Sequence, residues 1–349
     1  MGIHKIQMPA EILIGEGVTE KVGDVCKDLL LSGACLLVSG PKTMGIGGKR
    51  VSEVLSGAGY PVETEVVESI EKHELGKLIE RAREYRFVVA VGGGRVIDIA
   101  KYASFRAGIP FISVPTAPSH DGIASPRATL SENHTNYSFL AHVPEAIVAD
   151  TTIMAKAPQR LIAAGAGDMI GKLTAIEDWK LSSKVTGETF SDYASALTLL
   201  SANMVVDSAE MIRNREERGL RNLVESLISS SIAMCITGNS RPASGSEHMF
   251  SHALDSILPE GRRFHGEQVA IGCIMMSYLH GLPWQRIRAT IREIGCPITA
   301  SELGVGERDI VRALVLAGNI RKDRYTILEQ KALNAQTAEE LARKTGVIA

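Results

Sequence analysis

The sequence predicts an α/β amino-terminal domain built on a mainly parallel sheet, followed by an all-α carboxy-terminal domain. Three observations carry this. The 349 residues suit two domains of ordinary size. Short apolar runs alternate with amphipathic segments as far as residue 149. Beyond that point β-branched runs stop and helical periodicity takes over.

Taken in order, the strand candidates are Cys35–Ser39, 62–67, 87–91, 111–114 and 146–149, with helical patterns over 18–31 and 75–83 between them. Strand–helix alternation with turn residues at the joins is the pattern of a parallel sheet covered on both faces. Helical spacing then recurs over 161–181, 193–211, 220–236, 248–258 and 268–280. Ala157-Pro158 makes a good helix entry, because proline is tolerated in a first turn. The expected division is 1–155 and 156–349, with a ligand site in the cleft between the halves.

Composition excludes several function classes. Net charge is -2, so nothing in the overall balance calls for nucleic acid or an anionic membrane. No apolar run approaches 18 uncharged residues and the amino terminus lacks an apolar signal core, so a cytoplasmic protein without membrane insertion is expected. The five cysteines are odd in number and lack C-x-x-C spacing, which fits reduced, buried thiols. Helical domains of this kind leave apolar faces, and a homo-oligomer is expected.

Two segments carry chemistry in the first half. Phe87-Val-Val-Ala-Val91 runs into Gly92-Gly-Gly-Arg-Val-Ile-Asp98. A strand, three glycines and a helix start let backbone N–H groups approach phosphate oxygens, with the helix dipole adding attraction. A tight turn without a ligand is the competing reading, and Asp98 could be a first-turn carboxylate favoured by the dipole. The segment lacks the third glycine of G-x-G-x-x-G, and Gly40–Arg50 lacks the spacing and the hydroxyl residue of a P-loop. The second segment, Pro115-Thr-Ala-Pro-Ser119-His-Asp121-Gly-Ile-Ala-Ser125-Pro126, follows a strand end, where open α/β sheets bind ligands.

In the second half, Ser244-Gly-Ser-Glu247-His248-Met-Phe-Ser-His252 sets two histidines one helical turn apart, a spacing that suits metal coordination or proton handling. Surface or satisfied core histidines fit the spacing as well. Ser244 and Glu247 match the S-x-x-E capping box, which predicts a helix start there.

Three patterns occur in order: GGGRVIDIAK at 92–101, PTAPSHDGIASP at 115–126, and AAGAGDMIGK at 163–172 followed by EHMFSHALD and FHGEQVAIG. Together they resemble the glycerol dehydrogenase and dehydroquinate synthase-like superfamily within the iron-containing alcohol dehydrogenases, and the SHDG-ASP form is most similar to the sn-glycerol-1-phosphate dehydrogenases. The resemblance spans most of the chain and implies a dehydroquinate synthase-like fold. It also implies Zn²⁺-dependent, NADPH- or NADH-linked reduction of dihydroxyacetone phosphate to sn-glycerol 1-phosphate for archaeal-type phospholipid synthesis.

By position, the resemblance implies that Gly94, Arg95, Val96, Ile97, Asp98, Thr116, Ala117, Pro118, Ser119 and Ser125 line the dinucleotide. Asp168, His248 and His265 would hold the metal. Asp121, Asp168 and His252 would contact the substrate and serve catalysis. Plain glycerol oxidation, a dehydroquinate synthase-like cyclisation and a non-catalytic nucleotide sensor are the alternatives; the aspartate ligand and the SHDG-ASP loop speak against the cyclase. Arg262 and Arg263, beside His265, are candidates for the substrate phosphate. No carboxylate follows the first strand at Ser39-Gly-Pro-Lys42, so either nicotinamide cofactor fits, with Lys42 a candidate for a 2′-phosphate.

Overall fold

The computed structural model describes residues 6–67, 72–132, 135–258 and 263–349. Residues 1–5, read above for targeting signals, and Arg262 lie outside that set. The chain divides into two compact units, Met1–Pro158 and Gln159–Ala349.

The first unit holds strands β1 (Glu11–Gly15), β2 (Cys35–Ser39), β3 (Val62–Val66), β4 (Phe87–Gly92), β5 (Phe111–Pro115), β6 (Arg127–Glu132), β7 (Thr135–Leu140) and β8 (Ala146–Asp150). Helices α1 (Val22–Asp28), α2 (Lys49–Gly57), α3 (Lys72–Ala82) and α4 (Gly94–Ala107) run between them. Six strands form one parallel sheet in the order β1-β8-β5-β4-β2-β3. β2, β4, β5 and β8 are buried along their whole length, which is why they read as continuous apolar runs without alternation. Val25, Leu37, Val51, Leu55, Phe87, Val89 and Val148 belong to the core of this unit. From β2 the chain proceeds through β3 toward one edge, and from β4 through β5 toward the other. The order therefore reverses between β2 and β4, the position at which open α/β sheets bind ligands beyond their carboxyl ends.

The structure adds elements that the sequence reading lacks. β1 joins the edge beside β8. β6 and β7 form an antiparallel hairpin, whose Ala128–Leu130 and Tyr137–Phe139 alternation was legible. Gly40–Arg50 is not a loop: Pro41–Thr43, a π-helical turn over Met44–Gly48 and α2 follow without a break. Glycine is needed there because a side chain at Gly48 would meet Met44 Sδ at 2.9 Å and Ser39 Oγ at 3.1 Å. The 18–31 pattern resolves into a 3-10 turn, Val18–Lys21, followed by α1.

The second unit is helical: α5 (Gln159–Thr186), α6 (Asp192–Asp207), α7 (Ala209–Arg213), α8 (Glu217–Thr237), α9 (Ser246–Ile257), α10 (His265–Leu279), α11 (Trp284–Ile294), α12 (Glu307–Ala317), α13 (Ile327–Lys331) and α14 (Ala335–Lys344). The single periodic stretch at 193–211 is two helices, broken at Ser208. The expected capping box is absent: α9 starts at Ser246 behind Gly245, and no side chain caps it. Ser246 N–H instead donates to Asp178 Oδ2 at 2.6 Å, and Glu247 is turned inward.

α5 and α10 pack backbone to backbone. A Cβ on Gly266 would lie 1.8 Å from the Ala164 carbonyl oxygen, and one on Gly167 would lie 2.5 Å from the Gly266 carbonyl oxygen. No larger residue fits without separating the helices. Gly266→Ala is expected to destabilise the protein by about 1–3 kcal/mol through overpacking. In helix α3, Gly76 faces open space, and Gly76→Ala is expected to stabilise by about 0.5–1 kcal/mol. Thermal melts of the two variants read the opposite signs.

Candidate active site

In the first unit the two polar segments meet. Thr116 N–H donates to the Gly92 carbonyl at 2.9 Å, so the chain leaving β5 is tied to the chain leaving β4. Gly93 precedes α4 in extended conformation, and the space beside it is open. At Gly94, a Cβ would collide with His120 Nε2 at 1.6 Å. The imidazole lies over the helix start, held by Nδ1 accepting the Gly122 N–H at 2.8 Å. His120 thus packs Asp121, on the 3-10 turn Asp121–Ile123, against the glycine loop. Ser39 Oγ donates to the Val91 carbonyl at 2.7 Å and joins the ends of β2 and β4 at the reversal point.

The dinucleotide candidates separate by environment. Arg95 is exposed and Ser119 half-buried, whereas Val96, Ile97, Thr116, Ala117, Pro118 and Ser125 are buried. Asp98 is not a first-turn carboxylate. It lies one turn into α4, buried, accepting the Thr129 N–H at 3.1 Å and the Lys101 ammonium at 3.1 Å. Its carboxylate is engaged in tying α4 to the β6–β7 hairpin. Lys42 is exposed.

In the second unit Asp168, His248 and His265 come together, with one candidate ligand atom from each lying within 4.8 Å of the others. α5 carries Asp168, α9 carries His248 and α10 opens on His265. His248 Nε2 is 3.4 Å from Asp168 Oδ1, and the His248 and His265 ring centroids are 5.0 Å apart. One carboxylate and two imidazoles converging in a buried place suit a divalent cation. His252 stacks on the His265 ring, 5.8 Å between centroids, one turn beyond His248.

Groups unforeseen from sequence hold these ligands. Glu247 is fully buried. Its Oε1 accepts the Gly245 N–H at 2.7 Å and pairs with His248 Nδ1 at 2.7 Å, while Oε2 accepts the Thr174 hydroxyl at 2.8 Å. A carboxylate on Nδ1 fixes the ring so that Nε2 is the atom presented to a metal. On the other side, His265 Nδ1 bonds Ser251 Oγ at 3.0 Å, Ser251 donates to Gln268 Oε1 at 2.6 Å, and Gln268 Nε2 donates to Asp255 Oδ1 at 2.8 Å. Lys172, fully buried one turn beyond Asp168, donates to Asp168 Oδ1 at 2.6 Å. The sequence signal for Glu247 was its adjacency to His248, but the S-x-x-E spacing pointed to a cap.

Electrostatics follow from these contacts. Burial pushes the Asp168 carboxyl up, but the Lys172 ammonium and the His248 and His265 rings outweigh it and hold it well below the usual range. Burial likewise opposes ionisation of Glu247, and the bond from His248 brings it below its ordinary value. Burial and Lys172 work against protonation of His248, yet its bonds to Asp168 and Glu247 raise its pKa. His252 is pushed down to about 4 by burial, with His248, Arg321 and Arg324 adding repulsion. It is neutral at neutral pH.

The iron-containing alcohol dehydrogenase family model matches residues 13–158. The chain is 50% identical over 345 residues to a glycerol-1-phosphate dehydrogenase (NAD(P)+) of Methanosarcina mazei, covering 98% of this chain and 96% of the relative. It is 47% identical to the Pyrococcus furiosus protein of the same name, covering 99% and 100%. Among solved structures, a glycerol dehydrogenase of Schizosaccharomyces pombe shares the fold with a TM-score of 0.81 at 19% identity, covering 99% of this chain and 91% of that one.

Ligand variants test the division of labour. His248→Ala is expected to lose stoichiometric metal, whereas His252→Ala retains it. Glu247→Gln is expected to weaken metal binding by about 10–100-fold in a chelator competition. Because the raised His248 pKa means that a proton competes with a metal, metal retention is expected to fall as pH drops, starting above the pH at which an ordinary imidazole protonates. Metal analysis across pH reads all four outcomes. Near 50% identity over almost its whole length, the chain belongs to the glycerol-1-phosphate dehydrogenase family of iron-containing alcohol dehydrogenases.

Proposed function

We propose that the protein is a cytoplasmic, Zn²⁺-dependent enzyme that reduces dihydroxyacetone phosphate to sn-glycerol 1-phosphate with NADH or NADPH. The observation that carries the reading is the convergence of Asp168, His248 and His265 in a chain so similar to enzymes of that name. The five cysteines are free and buried, as suits a reducing compartment, and among the described residues no helix is long and apolar enough to cross a membrane.

The donor set fits zinc: three protein ligands of oxygen and nitrogen type leave a coordination position for a substrate oxygen. When bound, the metal supplies a Lewis acid that polarises the ketone and stabilises the negative charge developing on its oxygen. The chain's own residues do the rest. Glu247 and the Ser251–Gln268–Asp255 relay keep the two histidines oriented, so little reorganisation remains for the reaction itself. Lys172 offsets the buried charge of Asp168.

His252, neutral and one turn from the ligand histidine, can donate one N–H and accept at the other ring nitrogen. It would orient the substrate hydroxyl and pass the proton that the product oxygen takes up. Asp121, in the SHDG motif of the first unit, is a further residue proposed to contact substrate. The glycine loop offers the backbone N–H groups at the start of α4 to the cofactor pyrophosphate, beyond the carboxyl ends of β2 and β4. Ser39-Gly40-Pro41-Lys42 presents no carboxylate after β2, so nothing there selects against a 2′-phosphate.

The deciding assay follows oxidation of NADH and NADPH with dihydroxyacetone phosphate, before chelation, after chelation and after Zn²⁺ is restored. Turnover is expected with both cofactors, abolished by chelation and recovered with zinc. Turnover of glycerol with none of dihydroxyacetone phosphate would refute the substrate assignment.

A further inference from the structure

A phosphate dianion is what separates the proposed substrate from dihydroxyacetone, and recognising it takes fixed cations. The turn after α12 carries Arg321 and Arg324. Arg324 N–H donates to the Arg321 carbonyl at 2.9 Å, so both arginines spring from one tight turn. Arg324 is only 8% exposed. Its Nη1 donates to the Ser244 carbonyl at 3.0 Å and its Nη2 to Ser240 Oγ at 2.7 Å, both uncharged acceptors.

Nearby carboxylates are engaged elsewhere. Glu188 takes Nε and Nη2 of Arg241, and Asp323 pairs with Arg321 at 3.2 Å. Among the described residues, three guanidinium groups thus face two carboxylates, and Arg324 forms no ion pair. Arg241, also buried, has an Nη1 with no hydrogen-bond partner among the described residues. Asp323 and Glu188 attract Arg324 only from a distance, and a buried cation whose hydrogen bonds go to neutral acceptors gains from an anion in direct contact. Burial, with repulsion from Arg321 and Arg241, indeed pushes Arg324 down to about 10.

The location fits. Ser244 lies two residues before α9, the helix of His248 and His252, and both arginines are near enough to His252 to help hold it neutral. We propose that Arg324, assisted by Arg321, binds the phosphate group of the substrate, an inference that rests on the function proposed above. The guanidinium fork suits a tetrahedral dianion, and the site carries one positive charge in excess before substrate arrives.

The test compares dihydroxyacetone phosphate with dihydroxyacetone on the Zn²⁺-loaded full chain, with inorganic phosphate as inhibitor. In Arg324→Gln the ratio of kcat/KM for the two ketones is expected to fall roughly 10–100-fold, and phosphate inhibition to weaken by a similar factor. Arg324→Lys should recover part of the ratio. If burial prevents Arg324→Gln from folding, Arg321→Gln decides, with an expected fall of at least about threefold. An unchanged ratio and unchanged phosphate inhibition in folded variants overturns the assignment, as does a loss of zinc that lowers both substrates alike. Absence of wild-type turnover on the phosphate ester would instead overturn the proposed function.

Discussion

The carboxy-terminal site depends on how closely α5 and α10 cross. Glycine at 167 and 266 removes the side chains that would hold the two backbones apart, and Gly171, where a Cβ would lie 2.4 Å from Val269 Cγ1, extends the contact along α5. The close crossing brings Asp168, the residue after Gly167, and His265, the residue before Gly266, within ligand reach of each other. α9 then completes the set by laying His248 beside Asp168. Glycine is a poor helix former, but any side chain at these positions would meet the facing helix at 2.5 Å or less.

That crossing also explains the buried charge. Asp168, Lys172, Glu247 and His248 sit in an interior where isolated ions are unfavourable, and each is answered by another or by a fixed dipole. The carboxylates are held ionised and the imidazoles oriented before any metal arrives. The arginine turn is the contrasting case: among the described residues Arg324 hydrogen-bonds only to uncharged acceptors, which is the ground for the anion site proposed there.

The amino-terminal unit solves a different problem. The loop proposed to hold the cofactor phosphates needs unobstructed backbone N–H groups, and it lies where the strand order reverses between β2 and β4. Its glycines serve two purposes. Gly93 faces open space, whereas Gly94 leaves room for His120, whose ring pins the loop carrying Asp121. Of two adjacent glycines, one thus leaves open space and the other makes room for a packed ring.

How much was legible follows from what each feature depends on. The sequence alone predicted the parallel sheet and the change to helices, and through the resemblance carried by its ordered motifs it pointed to Asp168, His248 and His265, which the structure brings together. Periodicity and ordered motifs are local and survive without coordinates. The edge strand β1, the helical course of the glycine-rich 41–57 segment and the break at Ser208 were not legible, because packing there overrides local propensity. Only the tertiary structure decided that Glu247 bonds His248 instead of capping a helix, that Asp98 is tied to the hairpin, and that Arg324 hydrogen-bonds to Ser244 and Ser240. Those roles depend on groups 31 to 84 positions away along the chain, such as Thr129 for Asp98, Thr174 for Glu247 and Ser240 for Arg324, and spacing within a motif carries no information about them.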